Sequence, residues 1–279
     1  SGGSAGSEAG KSGGQIFVIV NGACKVGDIA HITDKIGARC YVIPMPDRAL
    51  LALQGPQAVT ALTRLVPGVD KLVFMTGAAF NWNGAELFIT RSGYTGEDGF
   101  EISVHEMQAE ALAHALLAQP EVKPIGLGAR NSLRLEAGLC LYGNDIDDST
   151  TPVEAQLNWA MQKVRRTGGA RAGGFPGASK ILAQLAGDPG ALTRKRVGLV
   201  ALERIPVRDH TELRDTAGNL IGEVTSGLLG PSIDKPVAMG YVNAQLATTG
   251  MRINAIVRGK PVPMEIAPMP FVPHRYFRG

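Results

Sequence analysis

The chain has 279 residues, of which 44% are hydrophobic and 19% are charged, and it carries a formal net charge of +3. At roughly 150 residues per domain, this length predicts about two domains and a substantial buried core. So mild a charge gives no case for nucleic-acid binding, which requires clustered Lys and Arg, and no apolar run approaches the roughly 20 residues needed to cross a bilayer.

Cysteine and histidine usage argues against metal binding. The three cysteines are far apart without Cys-x-x-Cys spacing, so we expect neither a disulfide framework nor a zinc site. The five histidines lack a pair on one helical face, and we expect no metal. Free cysteines suit a reducing compartment. The N-terminus has no apolar stretch typical of a signal peptide, so we expect a protein that is not secreted.

Residues 1–14 contain six Gly and four Ser, and we expect them to form a flexible coil. Within this tract, residues 5–12 fit a permissive form of the phosphate-binding loop pattern. A genuine loop of that kind joins a buried strand to a helix, whereas here a strand is expected to follow. We therefore attribute the match to chance.

Residues 15–166 alternate short apolar runs with segments of helical periodicity, which predicts an α+β domain. Ile16–Asn21 is typical of a buried strand, and Val26–Ile36 has apolar residues at helical spacing. Asn83-Gly84 predicts a hairpin turn because both positions tolerate a positive φ. Further strands are expected at 41–43, 49–53, 79–82, 85–91 and 100–104, and further helices at 57–65, 107–117, 127–137 and 153–161.

Between residues 167 and 190 the composition changes to Gly, Ala and Pro, with one short helix expected at 179–185. We place the domain boundary in this connector. Beyond it, closely spaced strands with no long helix predict a small all-β barrel over 191–279. The expected strands are 195–201, 211–213, 220–225, 238–242, 252–257 and 262–266.

Glu101 is the candidate binding residue that the sequence singles out. Its neighbours Phe100, Ile102 and Val104 alternate with it, so its carboxylate faces either solvent or a cavity on the other side of the strand. The preceding loop favours the cavity, because glycines that adopt a positive φ let a flat ligand approach closely. This loop carries three glycines, a ring and a hydroxyl: Gly93, Gly96, Gly99, Tyr94 and Thr95.

A local basic run comprises Lys163, Arg165, Arg166 and Arg171. The simplest interpretation is a solvated loop. The functional alternative is a landing site for an acidic partner or an anionic tail.

Several motifs together resemble one family. They are Gly93-Tyr94-Thr95-Gly96-Glu97-Asp98-Gly99-Phe100-Glu101, the segments 129–139 and 141–146, and the shorter matches 151–154, 237–242 and 270–273. In order, from about residue 16 to the C-terminus, they resemble the aminomethyltransferase (T-protein) family of the glycine cleavage system.

The resemblance implies that the chain acts on the aminomethyl group carried by the reduced lipoyl arm of a carrier protein, the H-protein. Tetrahydrofolate would be the cofactor, and the products would be 5,10-methylenetetrahydrofolate and ammonia. The compartment would be the bacterial cytoplasm or the mitochondrial matrix. A second possibility is a folate-binding module without catalysis, because such domains also occur in tRNA-modification factors and in amine-oxidising enzymes. The absence of an attached oxidase or GTPase from the sequence favours the transferase.

The resemblance also implies eight folate-binding positions. Glu101 would accept two adjacent N–H donors from the pterin edge, and Arg130 would offer its planar fork to a ring carbonyl or a carboxylate. Taken alone, Arg130 fits a helix-surface salt bridge equally well, and a lone Trp is more often a core residue. The remaining positions are Tyr94, the pocket-lining Trp159, Arg196 and Tyr276 from the C-terminal part, and the apolar wall of Phe17 and Ile19.

One part of the family pattern has no counterpart in the sequence. In the family, a segment before the strand of Phe17 and Ile19 supplies further strands, a helix and an aspartate that acts in the transfer step. The Gly/Ser tract stands in its place, so we assign no catalytic residue and expect an exposed sheet edge. Losing a positioned general acid or base costs roughly 10²- to 10⁴-fold in rate, and we expect this chain to transfer the aminomethyl group weakly or not at all.

Overall fold

The computed structural model describes residues 14–279, which form two compact units. The first comprises residues 14–93, 98–124 and 276–279, and the second comprises 94–97 and 125–275. The phosphate-loop-like tract at 5–12 lies outside the described residues, as does almost all of the expected flexible coil. The predicted domain boundary at 167–190 stays a prediction, because a compact unit and a domain need not coincide.

The first unit contains a four-stranded antiparallel sheet in the order β1-β4-β3-β2, with three helices. Alternate strand residues face a core that also receives Leu62 and Leu112 from the helices. Full burial of side chains of this size is worth about 1.5–3 kcal/mol each. The elements are β1 (Arg48–Gln54), β2 (Gly77–Trp82), β3 (Ala85–Thr90), β4 (Gly99–His105), α1 (Lys25–Ile36), α2 (Ala58–Leu65) and α3 (Glu106–Leu117).

The hairpin between β2 and β3 forms at the predicted turn. Asn83 and Gly84 have φ angles of 51° and 84°, as a two-residue hairpin turn requires. The Asn81 side chain accepts a hydrogen bond from the Gly84 backbone N–H at 3.0 Å and so closes the turn. The hairpin sets the register of β3, on which the position of β4 depends.

The second unit contains α4 (Leu127–Glu136), α5 (Ala178–Ala186) and a closed six-stranded barrel. All pairings in the barrel are antiparallel, and the strand order is β10-β5-β8-β7-β6-β9. This confirms the predicted α+β domain followed by a small β-barrel. The strands are β5 (Arg194–Ala201), β6 (Glu212–Arg214), β7 (Leu220–Gly230), β8 (Lys235–Asn243), β9 (Arg252–Val257) and β10 (Lys260–Ala267).

Three predicted elements are wrong. Residues 16–21 and 41–43 form no strand, and their apolar side chains Ile16 and Ile43 are largely exposed. A strand needs a paired neighbour, and β1 and β2 end the sheet that the structure describes. The segment 153–161 is not an α-helix, because Gln156 has a φ of 57° and only a 3-10 turn at Asn158–Ala160 follows.

In the described part of the chain, no helix combines the length and the apolar character needed to span a membrane.

Candidate functional site

Glu101 lies on the sheet face opposite the core of the first unit. Phe100, Ile102 and Val104 are fully buried on the core face, whereas Glu101 is half-buried on the other, as its phase in the sequence predicts. The Ser92 hydroxyl donates to its Oε2 at 2.5 Å. An ionised carboxylate has about four acceptor positions, so this one can accept further donors.

Phe17 covers the same face of the sheet. Its ring lies 4.7 Å, centroid to centroid, from that of Phe88 on β3. Phe88 is directly paired with Ser103, and Thr90 with Glu101, so all four side chains share one face. The structure thus brings an aromatic ring to the face that carries the candidate carboxylate.

Two motif glycines have a role that the sequence did not reveal. A Cβ atom at Gly93 or Gly99 would lie 1.8 Å or 2.7 Å, respectively, from atoms of the Gln54 side chain. The Gln54 amide donates to the backbone oxygens of Ser92, at 3.0 Å, and Phe100, at 3.2 Å. These glycines therefore leave room for a side chain that ties β1 to the loop start. Of the three loop glycines, Gly96 is the one with a positive φ, 76°.

A buried ion pair fixes the adjacent ends of β3 and β4. The Arg91 guanidinium donates to both carboxylate oxygens of Asp98, at 2.9 Å and 2.5 Å, and also to the Leu72 backbone oxygen at 2.7 Å. Such a bidentate pair holds the two strand ends in one geometry. The alternation of apolar and polar residues in the strands did not predict this ion pair.

The other two candidates of the first unit are Ile19 and Tyr276. Ile19 is 50% exposed. The Tyr276 ring stacks on that of Phe74 at 3.9 Å and 6°, and burial raises the pKa of its hydroxyl. Ligand contact by either residue stays a prediction.

In the second unit, Tyr94 and Arg130 lie together. The Arg130 guanidinium is 5.8 Å from the centroid of the Tyr94 ring, and the Tyr94 hydroxyl donates to the backbone oxygen of Cys140. Burial raises the pKa of Tyr94 to about 12, so the phenol stays neutral at physiological pH. The pair presents an aromatic ring beside an exposed cation.

One helical turn after Arg130, Arg134 anchors α4 and the following loop to the barrel. Its side chain is buried, and it donates to Asp145 at 2.8 Å and to Ser226 on β7 at 2.9 Å. Asp145 also accepts from the Leu141 backbone N–H at 2.8 Å, which fixes the loop that supplies the Cys140 oxygen. The spacing of Arg130 and Arg134 predicts a shared helix face, but it gives no hint that only Arg134 is buried.

Arg196 and Trp159 lie in contrasting environments. Arg196 is buried on β5 and donates to the backbone oxygens of Ala155, at 2.8 Å, and Gly138, at 3.0 Å. Trp159 is 78% exposed. Arg196 thus holds neighbouring backbone in place, and its predicted contact with a ligand stays a prediction, as does that of Trp159.

No cluster of three or more His, Cys, Asp or Glu side chains suited to a metal occurs within residues 14–279.

Comparisons with known proteins identify relatives. The profile of the GCVT N-terminal domain matches residues 11–165, and that of the glycine cleavage T-protein C-terminal barrel domain matches residues 194–273. The first match ends before the predicted connector at 167–190, and the second begins after it.

Similar proteins include the mitochondrial aminomethyltransferases of Pisum sativum, 44% identical over 272 residues, and of Mus musculus, 45% identical over 273 residues. The alignments cover 94% and 95% of this chain, which spans only 65% and 66% of the length of these relatives. The crystal structure of glycine cleavage system aminomethyltransferase T from Bartonella henselae has a TM-score of 0.84 and 45% identity, covering 92% of this chain and 69% of that one. With both domain profiles matched in order, the chain belongs to the glycine cleavage T-protein family.

Proposed function

We propose that this protein is a tetrahydrofolate-dependent aminomethyltransferase of the glycine cleavage system. Its substrate is the aminomethyl group on the lipoyl arm of the H-protein. The observation that carries the proposal is the half-buried Glu101 carboxylate, held by Ser92 on the sheet face that Phe17 also covers. Family membership supports it, because the named relatives are aminomethyltransferases.

Glu101 is proposed to bind the pterin edge, which offers a ring N–H beside an exocyclic amine. A carboxylate accepts both donors at once, and charge-assisted hydrogen bonds are roughly twice as strong as neutral ones. The Ser92 hydroxyl occupies one acceptor position of the carboxylate. Phe17 and Ile19 are proposed to form an apolar wall against the flat ring.

Tyr94 and Arg130 are proposed to bind the same ligand. The hydroxyl of Tyr94 already donates to Cys140, so its ring face is the part that offers a contact. Arg130, next to this ring, offers N–H donors to a ring carbonyl or a carboxylate of folate. Trp159, Arg196 and Tyr276 complete the proposed set.

When bound, tetrahydrofolate supplies the acceptor for the methylene carbon, giving 5,10-methylenetetrahydrofolate as ammonia leaves. The role proposed for this chain's residues is to bind and orient the folate. The proposed compartment is the bacterial cytoplasm or the mitochondrial matrix, in line with mitochondrial relatives and a bacterial structural neighbour.

The direct test is ammonia release from aminomethylated lipoyl H-protein, measured with and without tetrahydrofolate. Release that depends on tetrahydrofolate would support the transferase. Folate binding without ammonia release would favour the non-catalytic module.

A further inference from the structure

Trp159 lies on a short turn with little stability of its own. The 3-10 helix Asn158–Ala160 has three residues, and it is closed by a 3.2 Å hydrogen bond from the Met161 N–H to the Asn158 oxygen. Hydrogen bonds in a 3-10 helix have poorer geometry than those in an α-helix. The Trp159 side chain is 78% exposed, so packing contributes little to its orientation.

Arg166 binds both ends of this turn. Its Nη2 donates to the Asn158 backbone oxygen at 2.5 Å and to the Met161 backbone oxygen at 3.0 Å, and its Nε donates to Met161 at 3.1 Å. The two carbonyls flank Trp159 on either side along the chain. A planar guanidinium that stays charged at all accessible pH values can satisfy both at once, whereas a lysine ammonium offers no such fork.

The neighbouring Arg165 serves a different segment. Its Nη1 donates to the backbone oxygens of Gly173, at 3.2 Å, and Arg171, at 3.4 Å. Two of the four cations in the basic run therefore bind backbone carbonyls. This also provides a matched control, because the two adjacent arginines differ in whether they touch the Trp159 turn.

We propose that Arg166 is a positioning residue that holds the backbone of the Asn158–Met161 turn, from which Trp159 presents its ring to the ligand. The inference rests on the proposed function, since it assigns Trp159 to the folate site. A backbone turn held in place before binding costs less conformational entropy on binding than a mobile one. Loss of the hydrogen bonds from the Arg166 guanidinium is therefore expected to weaken tetrahydrofolate binding by roughly three- to tenfold.

The test uses 5-fluorotryptophan labelling of the full chain, which contains two tryptophans, Trp82 and Trp159. A Trp159→Phe variant assigns the two fluorine resonances. Spectra of the ligand-free parent, Arg166→Lys and Arg165→Lys are then compared, and each protein is titrated with tetrahydrofolate. We expect Arg166→Lys to shift and broaden the Trp159 resonance, to leave the Trp82 resonance unchanged, and to weaken binding roughly three- to tenfold. Arg165→Lys is expected to resemble the parent in both measurements.

Three results would overturn the proposal: an unchanged Trp159 resonance in Arg166→Lys, a changed resonance with parental affinity, or equal effects in Arg165→Lys. Displacement of the Trp82 resonance or general unfolding would also contradict it, because Arg166 would then hold more than the turn. If the parent itself does not bind tetrahydrofolate, the proposed function fails, and the ligand role of Trp159 with it. The ligand-free spectra would still show whether Arg166 fixes the turn.

Discussion

At the residue scale, one face of β4 packs in the core and the other makes polar contacts. Phe100, Ile102 and Val104 fill the core, while Ser103 and Glu101 on the other face bind polar partners, Arg48 at 2.9 Å and Ser92 at 2.5 Å. The period of the strand made the position of Glu101 predictable. The fit of Gln54 against Gly93 and Gly99 was not predictable, because it depends on a side chain from β1.

Tyr94 should remain protonated to unusually high pH. Its pKa is about 12 in the fold, chiefly because burial disfavours the phenolate, and about 10 in the unfolded chain. The pKa is higher in the folded state than in the unfolded chain. The contribution of the protonated Tyr94 hydroxyl to the free energy of unfolding is therefore fully present below about pH 10 and is lost as the pH rises toward 12. A difference titration of phenolate absorbance, parent minus Tyr94→Phe, should show the missing step near pH 12. A missing step near pH 10 would mean that the hydroxyl is solvated.

At the scale of elements, α4 is the support on which the candidate residues of the second unit depend. Arg134 joins α4, the loop at Asp145 and the strand β7 at Ser226. At the C-terminal end of the helix, the Glu136 carboxylate accepts hydrogen bonds from the Ser232 backbone N–H and hydroxyl, both at 2.7 Å. These polar contacts of Arg134 and Glu136 therefore fix the helix on the barrel, and with it the backbone position of Arg130.

Breaking the Arg134–Asp145 pair should be costly. Both side chains are almost fully buried, and Asp145→Asn would leave the Arg134 cation without its counter-charge. Removing one member of a buried ion pair typically costs about 3–5 kcal/mol. The free energy of unfolding, from urea titration, should fall by about that amount.

The control is Asp234→Asn. The Asp234 carboxylate lies 2.8 Å from the Arg204 guanidinium, and the two side chains are 69% and 66% exposed, respectively. An exposed pair of this kind is worth about 0–1 kcal/mol. Equal losses in the two variants would show that the buried pair contributes no more than a surface pair.

At the scale of the whole molecule, the local patterns predicted most elements, including all six barrel strands. The predictions failed where contacts with other segments, rather than the local pattern, determine the secondary structure. Ile16–Asn21 has the composition of a strand, but a strand also needs a partner. Residues 153–161 have apolar helical spacing, but the φ of 57° at Gln156 interrupts it, and a hydrogen bond from the distant Arg196 satisfies the Ala155 carbonyl there. Such contacts between distant residues leave no periodic signal in the sequence.

The most direct test of the account is the affinity for tetrahydrofolate, measured by calorimetric titration of the parent, Glu101→Gln and the control Glu86→Gln. Glu86 lies on the neighbouring strand β3 and its side chain is 80% exposed, so its variant should bind like the parent. Glu101→Gln replaces one acceptor oxygen with a donor and removes the charge. Hydrogen bonds to a charged group are worth about 1.5–3 kcal/mol, so we predict an affinity roughly 10- to 150-fold weaker. Parental affinity in Glu101→Gln, or no binding by the parent, would contradict the account.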